Sequence, residues 1–158
     1  MSYFPPPGRI VGLAPISVAV TIGSISSLAS AAYSAPSTLV DNTVGGVNTI
    51  SYTRGVLRLP FGTALTAGSG APSLTLFAIP ALDGTNLSNP PGASATAPSP
   101  NAAQVIAQLV PSASFSVVDF PPLDLDPFKF GLQIYNGSGV AFSGTVTPTL
   151  YLFGQQLA

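Results

Sequence analysis

Residues 16–22 read Ile16-Ser-Val-Ala-Val-Thr-Ile22, a run in which large apolar side chains alternate with small or polar ones. A period of two places the large side chains on one face and is typical of a half-buried β-strand. An apolar run between Arg9 and the small residues Ala29-Ser-Ala31 could also be the leader of a secreted protein. Pro15, the β-branched side chains and the single Arg favour the strand, so we expect no cleaved leader here.

Seven further segments have the composition of strands: Val47–Tyr52, Gly55–Phe61, Ser73–Ile79, Ser114–Phe120, Phe128–Tyr135, Gly139–Val146 and Thr149–Phe153. Asn136-Gly-Ser-Gly139 is the clearest hairpin turn between them, because Asn and Gly tolerate positive φ. Asn101–Val110 fits a helix with Asn101 as its N-cap, and it fits a strand equally well. Many short strands separated by turns predict an all-β fold. We expect an antiparallel β-sandwich, with a jelly roll favoured over an Ig-like arrangement.

The length fits one domain. Residues 1–12 form an extended Pro-rich arm in this prediction, and residues 13–158 form a single β-sandwich domain with a long loop at about 84–100. Pro5-Pro-Pro7 biases the arm towards polyproline II, without a core of its own. Tyr3 and Phe4 are large apolar groups near its tip. We therefore predict that these two side chains, with Arg9 at the base of the arm, contact a neighbouring molecule.

Charged side chains are rare, with five Asp and four Lys or Arg among 158 residues, whereas an ordinary soluble domain carries about 25%. A compact monomer of this mass exposes on the order of 7,400 Å². That leaves roughly one charge per 800 Å², about the area that one partner buries in a standard protein–protein contact. Isolated domains use charge to stay soluble and apart. The composition predicts a protein that works packed against copies of itself or against another protein.

The chain has no histidine and no cysteine. A Ser-His-Asp or Cys-His catalytic site is therefore impossible, and so is a metal site with imidazole ligands. A net charge of −1 lacks the basic footprint of a nucleic-acid binder, and no uninterrupted apolar run reaches the ~18 residues of a membrane span. We expect no enzymatic activity, no cofactor, and neither nucleic acid nor membrane as a partner.

Three carboxylates, Asp119, Asp124 and Asp126, fall within eight residues. Together they could chelate a hard cation such as Ca²⁺, or two of them could form a glycosidase pair. They could instead cap turns at the neighbouring prolines, or pair with Arg54, Arg58 or Lys129. These structural roles, turn capping or ion pairing, are favoured over both kinds of site, because Leu123 and Leu125 alternate with the carboxylates as strand residues do.

Arg54 and Arg58 are four residues apart and project to one face if both lie on a strand. Arg is enriched at interfaces because its planar fork pairs with carboxylates and carbonyls, so we predict both as partner contacts. The alternative is that both side chains are solvated and contact no partner. Among the C-terminal aromatics, Phe128/Phe130 and Tyr151/Phe153 are same-face pairs, and one of these pairs is expected at the surface.

Two blocks of sequence carry a resemblance. The first runs Ser73-Leu-Thr-Leu-Phe-Ala-Ile-Pro-Ala-Leu-Asp-Gly-Thr-Asn86, a strand that leads into an Asp-Gly turn. The second comprises Phe120-Pro-Pro-Leu, then Lys129-Phe-Gly-Leu-Gln-Ile-Tyr-Asn-Gly-Ser-Gly-Val-Ala141, then Gly144–Leu152. Over roughly the second half of the chain, this pattern resembles small virion proteins of tailed bacteriophages. The matching motifs are turns and strands.

The resemblance implies a capsid-associated, decoration or cement-like protein with no catalytic residues. Its expected partners are the major capsid protein and copies of itself, as a dimer or a trimer. Its expected location is the outer capsid surface of a virion, where it would stabilise the icosahedral shell. The alternative is a receptor- or glycan-binding head domain of a viral fibre or spike, which would use its long Asn/Ser/Thr loops.

Overall fold

The structure is a computed structural model that describes residues 10–44, 47–88, 104–111, 113–125 and 129–157. Several predictions concern residues outside these ranges: the arm contacts Tyr3, Phe4 and Arg9, the cation candidate Asp126, the surface candidate Phe128, and residues 89–100 of the long loop.

Within these ranges the chain forms eleven strands: β1 (Ile10–Ala19), β2 (Ala32–Tyr33), β3 (Thr43–Val44), β4 (Val47–Ser51), β5 (Arg54–Thr66), β6 (Ser73–Ala81), β7 (Gln104–Leu109), β8 (Ser114–Asp119), β9 (Leu123–Asp124), β10 (Lys129–Gly137) and β11 (Thr149–Leu157). The first sheet has the order β1-β11-β5-β8, and β9 also pairs with β5. The second sheet has the order β2-β10-β6-β7. β3 and β4 form a separate two-stranded ladder, and every pairing is antiparallel.

The two sheets pack face to face over a shared apolar core, which confirms the predicted antiparallel β-sandwich. Alternation along the strands selects the core residues. In β5, Leu57 and Leu59 are completely buried, whereas Arg58 between them is exposed. Leu150 lies opposite Leu57 in the neighbouring strand and is also completely buried. Apolar burial between the sheets is therefore the main force that holds them together.

The run at 16–22 keeps its alternation: Val20 and Ile22 are buried, and Ser17 and Ala19 are exposed. Ile16 is 40% exposed, because β1 is an edge strand whose register shifts between Leu13 and Ile16. A strand is therefore present here, as the period of two predicts, but it spans Ile10–Ala19, so it starts earlier than the predicted Ile16 and ends before Ile22.

Residues 34–40 connect the two sheets along one side of the sandwich. Ser37 donates its backbone N–H to the Leu132 carbonyl of β10 at 2.7 Å, and Thr38 donates to the Thr21 carbonyl at 3.1 Å. Because residues 20–22 continue from β1, hydrogen bonds run from the first sheet through this segment to the second. The segment therefore covers the free edge of β10 beyond the two residues of β2.

The structure decides one open alternative of local structure and corrects one prediction. Residues 104–109 form strand β7, so the helical interpretation of Asn101–Val110 fails and its strand alternative holds there. Gly139–Val146 does not form a strand after the turn, and its one bridge joins Val146 to Phe61. Instead, the Phe142 ring is buried edge-on against Phe61, with 4.9 Å between ring centroids. Burial of this ring within the core outweighs the pairing that a hairpin would provide.

Candidate interaction face

The outward surface of the first sheet gathers side chains that are far apart in the sequence. We call it the Arg/Tyr face and define it by Arg54, Arg58, Asp119, Asp124, Tyr151 and Phe153. The registers place Tyr151 beside Val56, Phe153 beside Arg54, and Arg58 between Thr149 and Asp119. All these side chains have the outward parity of their strands, opposite to that of the buried leucines.

A two-pronged ion pair occupies the middle of the Arg/Tyr face. Arg58 Nε lies 2.7 Å from Asp119 Oδ1, and Arg58 Nη2 lies 2.8 Å from Asp119 Oδ2. The guanidinium carbon is 5.7 Å from the centroid of the Tyr151 ring, within the range of a cation–π contact. The hydrogen bonds between these two side chains lower the pKa of Asp119 and raise the pKa of Arg58. Both groups therefore stay charged throughout the physiological range.

A second, looser pair joins Arg54 Nε to Asp124 Oδ1 at 3.3 Å, with both side chains largely exposed. Pairs of this kind at a surface stabilise a fold by only about 0–1 kcal/mol. Their charges are nevertheless balanced before any partner arrives. The face is thus electrically neutral on average and still rich in donors and acceptors.

Tyr151 is 38% exposed, and Phe153 is partly buried beside it. In the second aromatic pair that the sequence places on one face, Phe128/Phe130, Phe130 is buried and Phe128 lies outside the described ranges. Tyr, Arg and aromatic residues in general are over-represented at the centres of protein interfaces. The arrangement can therefore dock a protein surface through ring contact and through hydrogen bonds from the guanidinium groups.

The predicted cation ligands do not act together in the described part of the chain. Asp119 and Asp124 each face an arginine. Among the described residues, no cluster of three or more His, Cys, Asp or Glu could hold a metal ion. The structure thus shows the ion-pair alternative for these two carboxylates. Lys129 pairs with a different carboxylate, Asp41, at 3.5 Å.

An aromatic cluster on the outward surface of the second sheet was not predicted. It consists of Tyr33, Phe77 and Tyr135, from β2, β6 and β10, all partly exposed. Ring centroids lie 4.8 Å apart for Tyr33–Tyr135 and 6.0 Å apart for Tyr33–Phe77. Alternation in the sequence indicates on which face of its own strand each ring lies. The grouping depends on the order of the strands, which no local pattern reports.

Asp83 forms the turn predicted for Asp83-Gly-Thr-Asn86. Its Oδ1 accepts the N–H groups of Thr85 and Asn86 at 2.8 and 2.7 Å, and Oδ2 accepts Asn86 Nδ2 at 2.8 Å. The hydrogen bonds from Asn86, and then that from Thr85, lower the Asp83 pKa to about 2. This carboxylate is therefore fully engaged in a local turn.

A groove of about 410 Å³ opens where the end of β1, the single helical turn Ile25–Ser27 and residues 146–148 meet. Its floor contains the buried apolar side chains Val20, Ile22 and Val146. Its rim carries exposed hydroxyl side chains, Thr21, Ser24, Ser26, Ser27 and Thr147. None of the described residues that line this groove is charged.

Comparison with models of protein families, with curated proteins and with solved structures finds no match to this chain. In the ranges that the structure describes, no helix is both long enough and apolar enough to cross a bilayer.

Proposed function

We propose that the chain is a structural virion protein that binds the outside of an icosahedral capsid and stabilises it. The observation that carries the proposal is the Arg/Tyr face, on which Tyr151 and Arg58 lie together at the surface of a rigid sheet. The scarcity of charge, with nine charged side chains in 158 residues, favours a protein that functions in contact with other proteins. The resemblance to small virion proteins of tailed bacteriophages supports the choice of a capsid as partner.

The proposed mechanism is the cementing of neighbouring capsid subunits. The Arg/Tyr face would bury apolar ring surface on a capsid protein, while Arg58 and Arg54 donate hydrogen bonds to carbonyls or carboxylates across the joint. Because each arginine already has an aspartate beside it, docking does not strand an unpaired charge, which would cost several kcal/mol. Many copies on one shell would then add many modest contacts that resist expansion and disassembly.

The test is cosedimentation with capsid shells of the virus that encodes this chain, together with the thermal melting of those shells. A ligand that binds only the assembled shell must stabilise it, so we expect a fixed stoichiometry and a raised melting temperature. Tyr151→Ala should weaken binding at least about tenfold, as expected for an aromatic residue at the centre of an interface.

Tyr135→Ala is the matched control, because this tyrosine lies on the opposite sheet of the sandwich. It should leave shell binding unchanged. If the protein does not cosediment with shells, or if the two tyrosine variants bind equally well, the proposal fails.

The alternative function is a receptor- or glycan-binding head domain, and the aromatic cluster favours it. Sugar rings stack on exposed aromatic faces, and the Tyr33 ring has the rings of Tyr135 and Phe77 at 4.8 and 6.0 Å from it. The rings are tilted by 46–47°, which suits a twisted chain of sugars better than a flat crystalline surface. A glycan screen tests it: binding that is lost in Tyr135→Ala and kept in Tyr151→Ala would reverse the order of the two proposals.

A further inference from the structure

We infer that the groove beside the Ile25–Ser27 turn binds the N-terminal segment of a second copy of this chain, with Tyr3 and Phe4 as its anchors. The inference concerns self-association and does not depend on the capsid proposal. It assigns an occupant to a surface feature that the Arg/Tyr face leaves unused.

The chemistry of the groove matches that of the segment. The groove has an apolar floor formed by Val20, Ile22 and Val146, and hydroxyl groups stand around its rim. Residues 1–8 read Met-Ser-Tyr-Phe-Pro-Pro-Pro-Gly and contain no charged side chain. Burying Tyr3 and Phe4 in this groove therefore leaves no charged side chain of residues 1–8 unpaired. The hydroxyls can hydrogen-bond the backbone carbonyls of a proline-rich segment, which has few N–H groups to satisfy.

Prolines also lower the cost of binding. Pro5, Pro6 and Pro7 restrict φ before binding, so less conformational entropy is lost when the segment is ordered in a groove. Tyr3 and Phe4 precede them and contribute most of the apolar area. Burying aromatic rings provides the largest share of energy in most protein contacts.

Chain length decides between the groove of the same copy and that of a neighbour. The groove lies at the Ala19–Ile22 end of β1, whereas the segment leaves from Ile10 at the other end. A strand that rises ~3.3 Å per residue places these ends about 30 Å apart. Tyr3 precedes Ile10 by seven residues. A reversal of direction uses about two of them, and the remaining five reach at most about 18 Å. Tyr3 and Phe4 therefore cannot reach the groove of their own copy.

Such a contact is heterologous, because the segment of one copy meets a different surface on the next. Two copies can exchange segments reciprocally, or several can close into a ring. In either case each copy both gives and receives one contact, and the paired contacts reinforce each other.

The absence of cysteine from the sequence makes disulfide trapping a clean test in the full chain. Ser2→Cys places one thiol next to the anchors and keeps both rings. Thr147→Cys places another on the exposed rim of the groove. Ser69→Cys is the matched control, since Ser69 is also exposed and is not among the residues that line the groove. The Ser2→Cys protein is mixed with each partner variant, and the covalent dimer is followed under mild oxidation.

We expect the Ser2→Cys and Thr147→Cys proteins to form their mixed dimer at least about tenfold faster than Ser2→Cys and Ser69→Cys. Adding Tyr3→Ala and Phe4→Ala to the Ser2→Cys chain should remove that advantage. Equal rates for the two partner variants would overturn the inference, and so would an advantage that survives without the two rings. A Ser2→Cys/Thr147→Cys double variant that closes its disulfide within one chain, independently of dilution, would also overturn it.

Discussion

The two sheets of the sandwich use their polar groups in opposite ways. On the first sheet, the conspicuous polar groups are exposed ion pairs, Arg58–Asp119 and Arg54–Asp124. On the second, apart from the solvent-accessible Lys129–Asp41 pair at the start of β10, they are buried and uncharged. Five of the six buried polar residues in the described ranges lie in β10 or immediately beside it: Ser34, Ser37, Gln133, Asn136 and Ser138.

Burial decides what each set of groups contributes. A surface ion pair replaces contacts with water that are nearly as good, so its net effect on stability is small. A buried donor or acceptor has no water to return to, and losing its partner costs about 1–3 kcal/mol. The exposed ion pairs of the first sheet can therefore contact a partner at little cost to the fold, whereas the buried polar groups of the second sheet are committed to the fold.

Asn136→Ala should have the largest effect. Asn136 is completely buried; its Nδ2 donates to the Val140 carbonyl at 2.8 Å, and its Oδ1 accepts the Ser138 hydroxyl at 2.6 Å. Removing the amide leaves several buried groups without a partner, so we expect a loss of about 3 kcal/mol in urea unfolding. Asn86→Ala, in an exposed turn, is the control and should cost less than about 1 kcal/mol. Equal losses would break the contrast between buried and exposed amides.

Ser34→Ala should come next. The Ser34 hydroxyl accepts the Ile134 N–H at 3.0 Å, as the Ser37 hydroxyl accepts the Leu132 N–H at 2.8 Å. In both places a side chain replaces the carbonyl that a partner strand would offer. We expect Ser34→Ala to cost about 1–3 kcal/mol, since a buried N–H is left unsatisfied. Ser116→Ala, on the exposed side of β8, should change the unfolding free energy by less than about 0.5 kcal/mol.

Arg58→Ala should weaken binding to capsid shells while changing stability little, unlike the two substitutions above. Its effect on the free energy of unfolding should be small, because the pair with Asp119 is exposed to solvent. Binding to capsid shells, in contrast, should fall at least about tenfold. The measurement is urea unfolding beside cosedimentation for one protein preparation. A large loss of stability would mean that the first sheet also depends on its polar groups, and the two sheets would then not differ.

The smallest effect concerns pH. Hydrogen bonds lower the pKa values of Asp83, to about 2, and of Asp119 below their unfolded values near 3.9. A lowered carboxyl pKa contributes stability that is present above about pH 4 and is lost as the pH falls through the folded pKa. With no histidine, the thermal midpoint should be flat from about pH 5 to pH 9 and should fall between about pH 4 and pH 2.

Asp83→Asn is the control for this pH profile, because it keeps an oxygen acceptor in the turn and removes the titration. It should make the fall in acid shallower. A sharp transition near pH 6.5 would contradict the profile, since no side chain of this chain has its ordinary pKa there.

Part of the candidate site was visible in the sequence and part was not. The sequence shows that Arg54 and Arg58 share one face of their strand, and that Tyr151 and Phe153 share one face of theirs. That Arg58 faces Asp119, 61 residues further along the chain, depends on β5 lying beside β8. The Asn136-Gly-Ser-Gly139 pattern predicts Asn136 as a turn residue that tolerates positive φ. In the structure the positive φ belongs to Gly139, at 82°, and Asn136 instead connects three segments through its side chain.

The sequence by itself determined the class of fold. A period of two, β-branched side chains and frequent turns specify strands locally, because pleat and turn geometry act over a few residues. Scarce charge and the absence of histidine and cysteine were also properties of the sequence alone. Only the tertiary structure decided which strands are neighbours, which ion pairs form, and that Gly139–Val146 folds its Phe142 ring into the core. Those outcomes depend on contacts between residues far apart in the chain, and their energies are set by burial, which no local pattern encodes.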